Sequence, residues 1–354
     1  MKRLLKNPLA IVCLAVITVF VVVAVLGYAI TPDKTPYANE QHLELSIKKP
    51  GFKVKMLQID NGRKVKKENA IAHFFRNMLF GTPSVTTNIP IYKYSIQKDG
   101  SLKYELFTGD NPNNGEILTL EPNTKYKIVE RKYYLGTDRY GRDLLSQLLI
   151  GTRVSLSVGL IAIFIALVIG ITLGAIAGYY GGVVDNIIMW IINVVWSMPT
   201  ILLVIAITFA LGKGFWQVFV AVGLTMWVDI ARMVRGQVMS LKQKEFVLVG
   251  KALGFSNLRI ILKHILPNVV GSVTVIIASN FATAILQESG LSFLGIGVQP
   301  PMPSWGTMIK ENYGYIILDA AYMAIIPGLA IMILVLSFFL LGNAIRQTLD
   351  VKQR

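Results

Sequence analysis

The chain is expected to fold as an all-α polytopic membrane protein with six transmembrane helices and a small α+β extracytoplasmic module. Three observations predict this. First, 53% of the 354 residues are hydrophobic, only 16% are charged, and mean hydropathy is +0.55. A soluble domain carries about 25% charge, so a water-facing globule of this size has no interior large enough for so much apolar residue. Second, the apolar residues fall in long uncharged runs. Third, of the net charge of +15, +6 lies in the long segment 31–152 and the other +9 gathers between alternate runs, as it does where basic residues are retained on one side of a bilayer.

A helix needs about 20 mostly apolar residues to cross the hydrocarbon core. Leu9–Ile30 is the first such run. It follows Lys2, Arg3 and Lys6, as the apolar part of a signal peptide would. It is longer than such a segment, however, and Gly27-Tyr28-Ala29 only faintly resembles a cleavage site, so a retained helix is expected. Val154–Val184, Asn186–Gly212, Gly214–Val228, Ile265–Gln287 and Ala320–Ile345 follow. The fourth is short and must borrow Asp229–Ala231 to span. With the N-terminus inside, segments 1–8, 179–185, 232–264 and 346–354 carry 13 Lys and Arg, while the short outside positions hold only Arg153, Lys213 and Lys310. Both termini are therefore expected in the cytoplasm. Pro199 and Pro327 each remove a backbone hydrogen bond and favour kinks in the third and sixth spans. Gly170, Gly174 and Gly178 form a ridge of small residues suited to close helix packing.

Residues 31–132 are expected outside as a separate module, between the first span (1–30) and a core of five spans (133–354). Alternating stretches at Phe52–Ile59, Ile89–Gln97, Ser101–Phe107 and Lys125–Val129 read as strands, with Lys98-Asp99-Gly100 as a hairpin turn. Glu68–Phe80 has a helical apolar pattern. The tyrosines interleaved with lysines here read as an ordinary strand face, and no nucleic-acid partner is expected.

No catalytic constellation is visible. There is no phosphate loop for ATP, no Ser/His/Asp set and no H-E-x-x-H. The lone Cys13 forms no internal disulfide or cysteine cage, and His42, His73 and His264 show no metal-ligand spacing. The chain is expected to be non-catalytic and to bind no cofactor or metal itself. Asp229, three residues before Arg232, has the spacing for a local ion pair. Glu288 is read as an interfacial residue at the outer end of the fifth span.

The basic segment 232–264 is too long for a turn and too patterned for disorder. Glu245–Leu253 reads as a short helix, Gly254 breaks it, Ser256 or Asn257 caps a second one, and Pro267 ends that helix after Leu266. Such a knob suits either a groove on a soluble partner or an anionic lipid surface, and the pattern leaves both open. The Gly- and Pro-rich stretch Ser292–Trp305 reads as an outer gate over a pathway or as a static re-entrant cap.

Lys251-Ala252-Leu253-Gly254 followed by His264-Ile265-Leu266-Pro267-Asn268 resembles the "EAA" loop of bacterial ATP-binding cassette (ABC) importer permeases. Leu135-Gly136-Thr137-Asp138 with Gly141-Arg142-Asp143, and Gly178-Tyr179-Tyr180-Gly181-Gly182, are similar to segments of the oligopeptide, dipeptide and nickel permeases. So are Ser292 to Pro301, Pro303-Ser304-Trp305-Gly306 and Pro327-Gly328-Leu329. The resemblance is nearest to the C-type subunit. There are two departures. Leu248-Val249-Gly250 stands where Glu-Ala-Ala gives the loop its name, with Glu245 as a nearby acidic substitute. The segment 36–131 is also longer than the family's.

The resemblance implies a type I importer permease fold in a bacterial inner membrane. It implies a second homologous permease sharing a peptide pathway, two cytoplasmic ATPases carrying ATP and magnesium, and an extracytoplasmic substrate-binding protein. Nickel complexes or another small ligand of the same family are the alternative cargo, and a non-transporting scaffold is the reading from another class. The expected ATPase-coupling residues are Glu245, Lys251, Gly254, Arg259, Leu266 and Pro267, within segment 232–267. The candidate outer-gate residues are Ser292, Gly295, Gly297, Pro300 and Trp305.

Overall fold

The computed structural model describes residues 6–62, 70–109, 115–122, 124–212 and 214–350. Lys2, Arg3, Lys213, Lys352 and Arg354, together with the start of the helix expected from Glu68, lie outside them. The chain divides into two compact units, one of Met1–Val21, Val154–Gln299 and Gly328–Arg354, the other of Val22–Arg153 and Pro300–Pro327.

Among the described residues, five helical segments are long and apolar enough to cross a membrane. They are Pro8–Ala29, Leu144–Tyr180, Phe215–Lys242, Asn257–Leu294 and Tyr322–Thr348. The third expected span is instead a broken pair, α4 (Gly182–Trp196) and α5 (Thr200–Leu211), bent by 94°. The bend sits at Ser197-Met198-Pro199, where Pro199 is extended (ψ 122°) and begins a new helix. A proline at that place disfavours helical backbone in the residue before it.

In the first unit, α6 (Phe215–Lys242) is the central element. Val218, Val222, Ile230, Val234 and Val238 on its faces are buried. It packs on α3 (Leu144–Tyr180) through the small-residue ridge. A Cβ on Gly170 would meet Ile230 at 2.7 Å, one on Gly174 the Ala231 carbonyl at 2.5 Å, and one on Gly178 the Arg235 carbonyl at 2.6 Å. The ridge is thus a packing surface within the chain, where backbones approach too closely for any side chain. α1 (Pro8–Leu26) lays Ala10 and Cys13 against Leu341 and Ala344 of α11 (Tyr322–Asp350). α11 runs on through Pro327 as one helix.

Two expectations about segment 232–264 are corrected. It is not loop from its start, because α6 continues to Lys242. The apolar repeat Ile230, Val234, Val238 persists past the charged residues. The charges find partners on α4, with Arg235 donating to both carboxylate oxygens of Asp185 at 2.5 and 2.6 Å. Nor does Pro267 end a helix. α8 (Asn257–Arg259) passes through a π-helical turn, Ile260–Ile265, directly into α9 (Leu266–Leu294), with Pro267 in its first turn. Leu266 N–H still donates five residues back to Ile261 O, and the wider π-helical turn accommodates the proline that follows, which cannot donate.

The Asp229–Arg232 pairing is also replaced. Arg232 donates to Asn193 Oδ1 at 2.7 Å and stacks 3.6 Å over the Trp196 ring.

The second unit contains a five-stranded antiparallel sheet of order β4-β3-β2-β1-β5. Its strands are β1 (Phe52–Asp60), β2 (Thr86–Ile96), β3 (Leu102–Leu106), β4 (Ile117–Leu120) and β5 (Tyr126–Tyr133). Four strands lie where alternation placed them. β4 has only four residues, too few for a visible period. The hairpin forms as expected, with Gly100 at φ +82° and Gln97 N–H donating to Ser101 O at 2.8 Å. One face buries Val54 and Met56 with Leu45, Phe107 and Tyr133, and the other buries Leu57, Ile91, Leu102 and Tyr104. This two-sided burial follows from the period-2 alternation of strand side chains. The expected helix is present as α2 (Ala70–Phe80).

Candidate functional site

The loop between α6 and α9 is a small, well-terminated knob. α7 (Glu245–Ala252) begins at extended Lys244 with Glu245 in its first turn and Lys251 in its last. These charges match the helix dipole at both ends. Val247 and Gly250 are buried on the inner side. Gly254 then takes φ +75°. Phe255 N–H donates to Gly250 O, and Gly254 N–H to Lys251 O, both at 3.0 Å. This is a Schellman cap, which requires left-handed backbone at the glycine position. Among the described residues, no atom beyond its chain neighbours stands within 4 Å of the Cβ that Gly254 lacks. The glycine is therefore required by backbone conformation and not by space.

The loop next turns through extended Ser256, whose Oγ accepts from Arg259 N–H at 3.4 Å. Of the two caps the sequence offered, Ser256 is the one used. The Phe255 ring is stacked on His264, with the Arg259 guanidinium 4.0 Å from its centroid.

These contacts bring Lys251, Gly254 and Arg259 together at one end of the first unit, with Glu245 opening the same short helix. Leu266 and Pro267 lie further on, in the first turn of α9. The outward side of the knob is apolar, with Phe246, Leu248, Val249, Leu253, Leu258 and Leu262 all exposed. The replacement of Glu-Ala-Ala has a local meaning. Leu248 and Val249 add to this apolar surface, while Gly250 turns inward and lets Phe255 and Ile260 close over the helix.

One residue of the knob's support was missed by sequence reasoning. Tyr179, at the end of α3, donates its hydroxyl to Asn257 Oδ1 at 2.8 Å, and its ring lies 5.6 and 5.4 Å from the Lys242 and Lys251 ammonium groups. The Gly-Tyr-Tyr-Gly-Gly motif was the available signal. Its first glycine packs on α6, its tyrosine holds the knob, and Gly181 and Gly182 at φ +70° and +56° turn the chain into α4.

At the other end of α9, the helix continues through Ser292 to Leu294 before Gly295 ends it at φ +82°. Glu288 therefore sits inside the helix. It is fully buried (0% exposed), which corrects the interfacial reading. Ser292 Oγ donates to Glu288 Oε1 at 2.7 Å and accepts from Val298 N–H at 3.2 Å. A buried carboxylate is costly unless hydrogen-bonded, and here it anchors the turn that follows. A Cβ on Gly297 would overlap Ser292. Ser292, Gly295 and Gly297 thus form one interlocked turn in the first unit.

Pro300 and Trp305 belong to the second unit. Trp305 is buried at the start of α10 (Trp305–Asn312), behind a capping box between Ser304 and Thr307. Its indole donates to Leu148 O at 3.0 Å, and Gly151 leaves room for the ring.

The Leu-Gly-Thr-Asp and Gly-Arg-Asp segments form a knot in the second unit. Asp138 accepts from the N–H groups of Tyr140 and Arg142 at 2.9 Å, and Arg142 donates to Asp138 and to Glu311. A Cβ at Gly136 or Gly141 would overlap the carbonyl of Lys48 or His42. Nearby, Arg131 donates to Glu40 at 2.5 Å, Asn88 also donates to it, and His42 Nε2 lies 3.3 Å away. Burial pushes the Glu40 carboxyl up, but His42, Arg131 and Asn88 outweigh it and hold the group at about 2. Asp33 and Asp143 show the opposite balance, since burial raises both above the usual carboxylate range.

Comparison with known proteins gives these features a context. Residues 170–351 match the family described as binding-protein-dependent transport system inner membrane component, and residues 1–50 match the N-terminal TM domain of oligopeptide transport permease C. The chain is 42% identical over 246 residues to the glutathione transport system permease protein GsiD of Shigella flexneri serotype 5b (strain 8401), covering 70% of this chain and 77% of that protein. It is 40% identical over 246 residues, with the same coverage, to GsiD of Escherichia coli O6:K15:H31. Among solved structures, an inward-facing form of the MetNI methionine ABC transporter aligns with a TM-score of 0.47 at 20% identity, over 58% of this chain and 97% of that one. The family match and the identity to GsiD place the chain in the family of binding-protein-dependent transport system inner membrane components, as a multi-pass permease subunit of an ABC importer.

Proposed function

We propose that the chain forms, with a second homologous permease, the membrane pathway of a peptide importer, and that the knob around Gly254 docks on a separate ATPase subunit. The observation that carries this reading is the knob itself. It is a rigidly capped helix–turn with an apolar outward face and cations at one end, supported directly by the ends of α3 and α6. Such a face suits a protein groove, where apolar anchors fill pockets and charges set register. Glu245, Lys251 and Arg259 supply that register. Leu266 and Pro267 connect the knob to α9, so that a push on it reaches the pathway helices.

ATP and magnesium reside on the two ATPase subunits in this reading, and the permease itself performs no chemistry. The bent α4–α5 pair counts as one crossing, giving six, with both termini cytoplasmic in a bacterial inner membrane. An extracytoplasmic binding protein delivers the cargo, and the sheet-bearing module is its contact. Small peptides are the proposed cargo class, supported by the GsiD relatives named for glutathione. The interlocked turn at Ser292, Gly295 and Gly297, with Pro300 and Trp305, is proposed as the outer gate.

The test is uptake and ATP hydrolysis by the reconstituted complex carrying Gly254→Trp or Glu245→Lys. Hydrolysis should persist while substrate-dependent uptake is lost. Normal uptake in both variants overturns the reading.

A further inference from the structure

α2 is built inside out. Among its eleven described residues, the half-buried positions are His73, Asn77 and Met78, with Asn77 Nδ2 3.2 Å from His73 Nδ1. The side turned away carries Ile71 (70% exposed), Phe75 (53%) and Leu79 (46%) at four-residue spacing, while Phe74 stands with His73, Asn77 and Met78 on the cavity side. A helix on a water-washed module turns its apolar stripe inward. This one points its apolar stripe away from the unit it belongs to.

One side chain ties its C-terminal end to the end of α1. The Arg153 guanidinium donates to Ala24 O at 2.8 Å and Val25 O at 3.3 Å, in the last turn of α1. It also donates to Met78 O at 3.1 Å and Leu79 O at 2.5 Å, in the last turn of α2. Carbonyls at helix C-termini have no partner within their own helix, and one cation satisfies those of both helices. Gly27 gives it room, because a Cβ there would overlap the guanidinium. The C-terminal end of α2 is thereby fixed within one guanidinium of the end of the first span. There the outer surface of α1 is still apolar, with Val22 and Val25 exposed.

We infer that the Ile71–Phe75–Leu79 stripe of α2 lies in the headgroup–acyl boundary of the bilayer, tethered by Arg153 to the end of the first span. The eleven described residues rise about 16 Å, and an amphipathic helix lying against lipid buries such a stripe. The occupant is lipid because the stripe begins where the lipid-facing surface of α1 ends. The inference needs α1 to cross the membrane and is independent of which side α2 occupies.

Nitroxide labels report this directly. In a Cys13→Ala background, Phe75→Cys, Val19→Cys on α1 and Lys103→Cys on the exposed side of β3 are labelled in the assembled complex, in phosphatidylethanolamine–phosphatidylglycerol vesicles. The ratio of oxygen to nickel-chelate collision at position 75 should approach that at 19 and exceed that at 103, and Arg153→Gln should lower it. A ratio at 75 like that at 103 overturns the inference. So does a label at 75 shielded from both reagents, which would mean that a protein partner covers the stripe.

Discussion

Arg142 reaches Glu311 at 2.5 Å across 169 residues of chain, and the same guanidinium holds Asp138 at 2.6 Å. Both Arg142 and Asp138 are almost wholly buried. Removing one partner of a buried ion pair leaves the other charge uncompensated, at a cost of about 3–5 kcal/mol. Arg142→Met should therefore lower the melting temperature of the purified protein sharply, and adding Asp138→Asn should restore part of the loss. An unchanged melting temperature in the single variant would show that the cluster contributes nothing to stability.

The glycine ridge gives a graded test. Gly174→Ala places a Cβ 2.5 Å from the Ala231 carbonyl, a backbone atom that cannot move aside without shifting α6. Overpacking of this kind costs about 1–3 kcal/mol. Gly236, in the same α6, has nothing among the described residues beyond its own helix backbone within 4 Å of its missing Cβ. There alanine should be neutral or stabilising by up to about 1 kcal/mol, since it is the better helix former. Thermal unfolding in detergent checks both. Equal effects at the two positions would contradict the packing account.

Gly254 separates conformation from volume. Asparagine tolerates left-handed backbone and β-branched residues do not, while space around the position is open. Gly254→Asn should retain ATP-coupled uptake and Gly254→Val should lose most of it, although the open space admits either side chain. Equal uptake by the two would mean that the cap is not what shapes the knob.

Glu40 predicts an acid-sensitive module. Its folded pKa of about 2 lies below the unfolded 4.5. The folded state therefore favours the carboxylate, and the stabilisation, about 3 kcal/mol by linkage, is fully present above pH 4.5. It is lost as pH falls from about 4.5 toward 2. Glu40→Gln should remove it at neutral pH and flatten the decline in that window. Parallel stability–pH curves for variant and parent would refute the assignment.

Much of the permease was legible before folding, because the bilayer writes itself into composition. Uncharged runs located α1, α3, α6, α9 and α11, and the alternation of β1, β2, β3 and β5 marked the sheet. Gly254 and Gly100 were readable as turns because only a residue without a Cβ enters left-handed backbone cheaply. What the one-dimensional pattern misplaced were ends and partners. α6 runs to Lys242 because Val234 and Val238 find α3 and Arg235 finds Asp185, and none of those partners is close in sequence.

The sequence by itself determined that the chain lives in lipid, where its spans lie, which motifs it carries and that its loop is a capped knob. Those properties depend on hydropathy, charge and local backbone preference. Only the tertiary structure decided that Glu288 is a buried anchor, that Tyr179 supports the knob, that Arg142 joins Asp138 to Glu311 and that Arg153 ties two helix ends together. Each of these depends on which polar groups meet after packing. A buried charge is stable only beside a partner, and sequence spacing does not say where that partner will be.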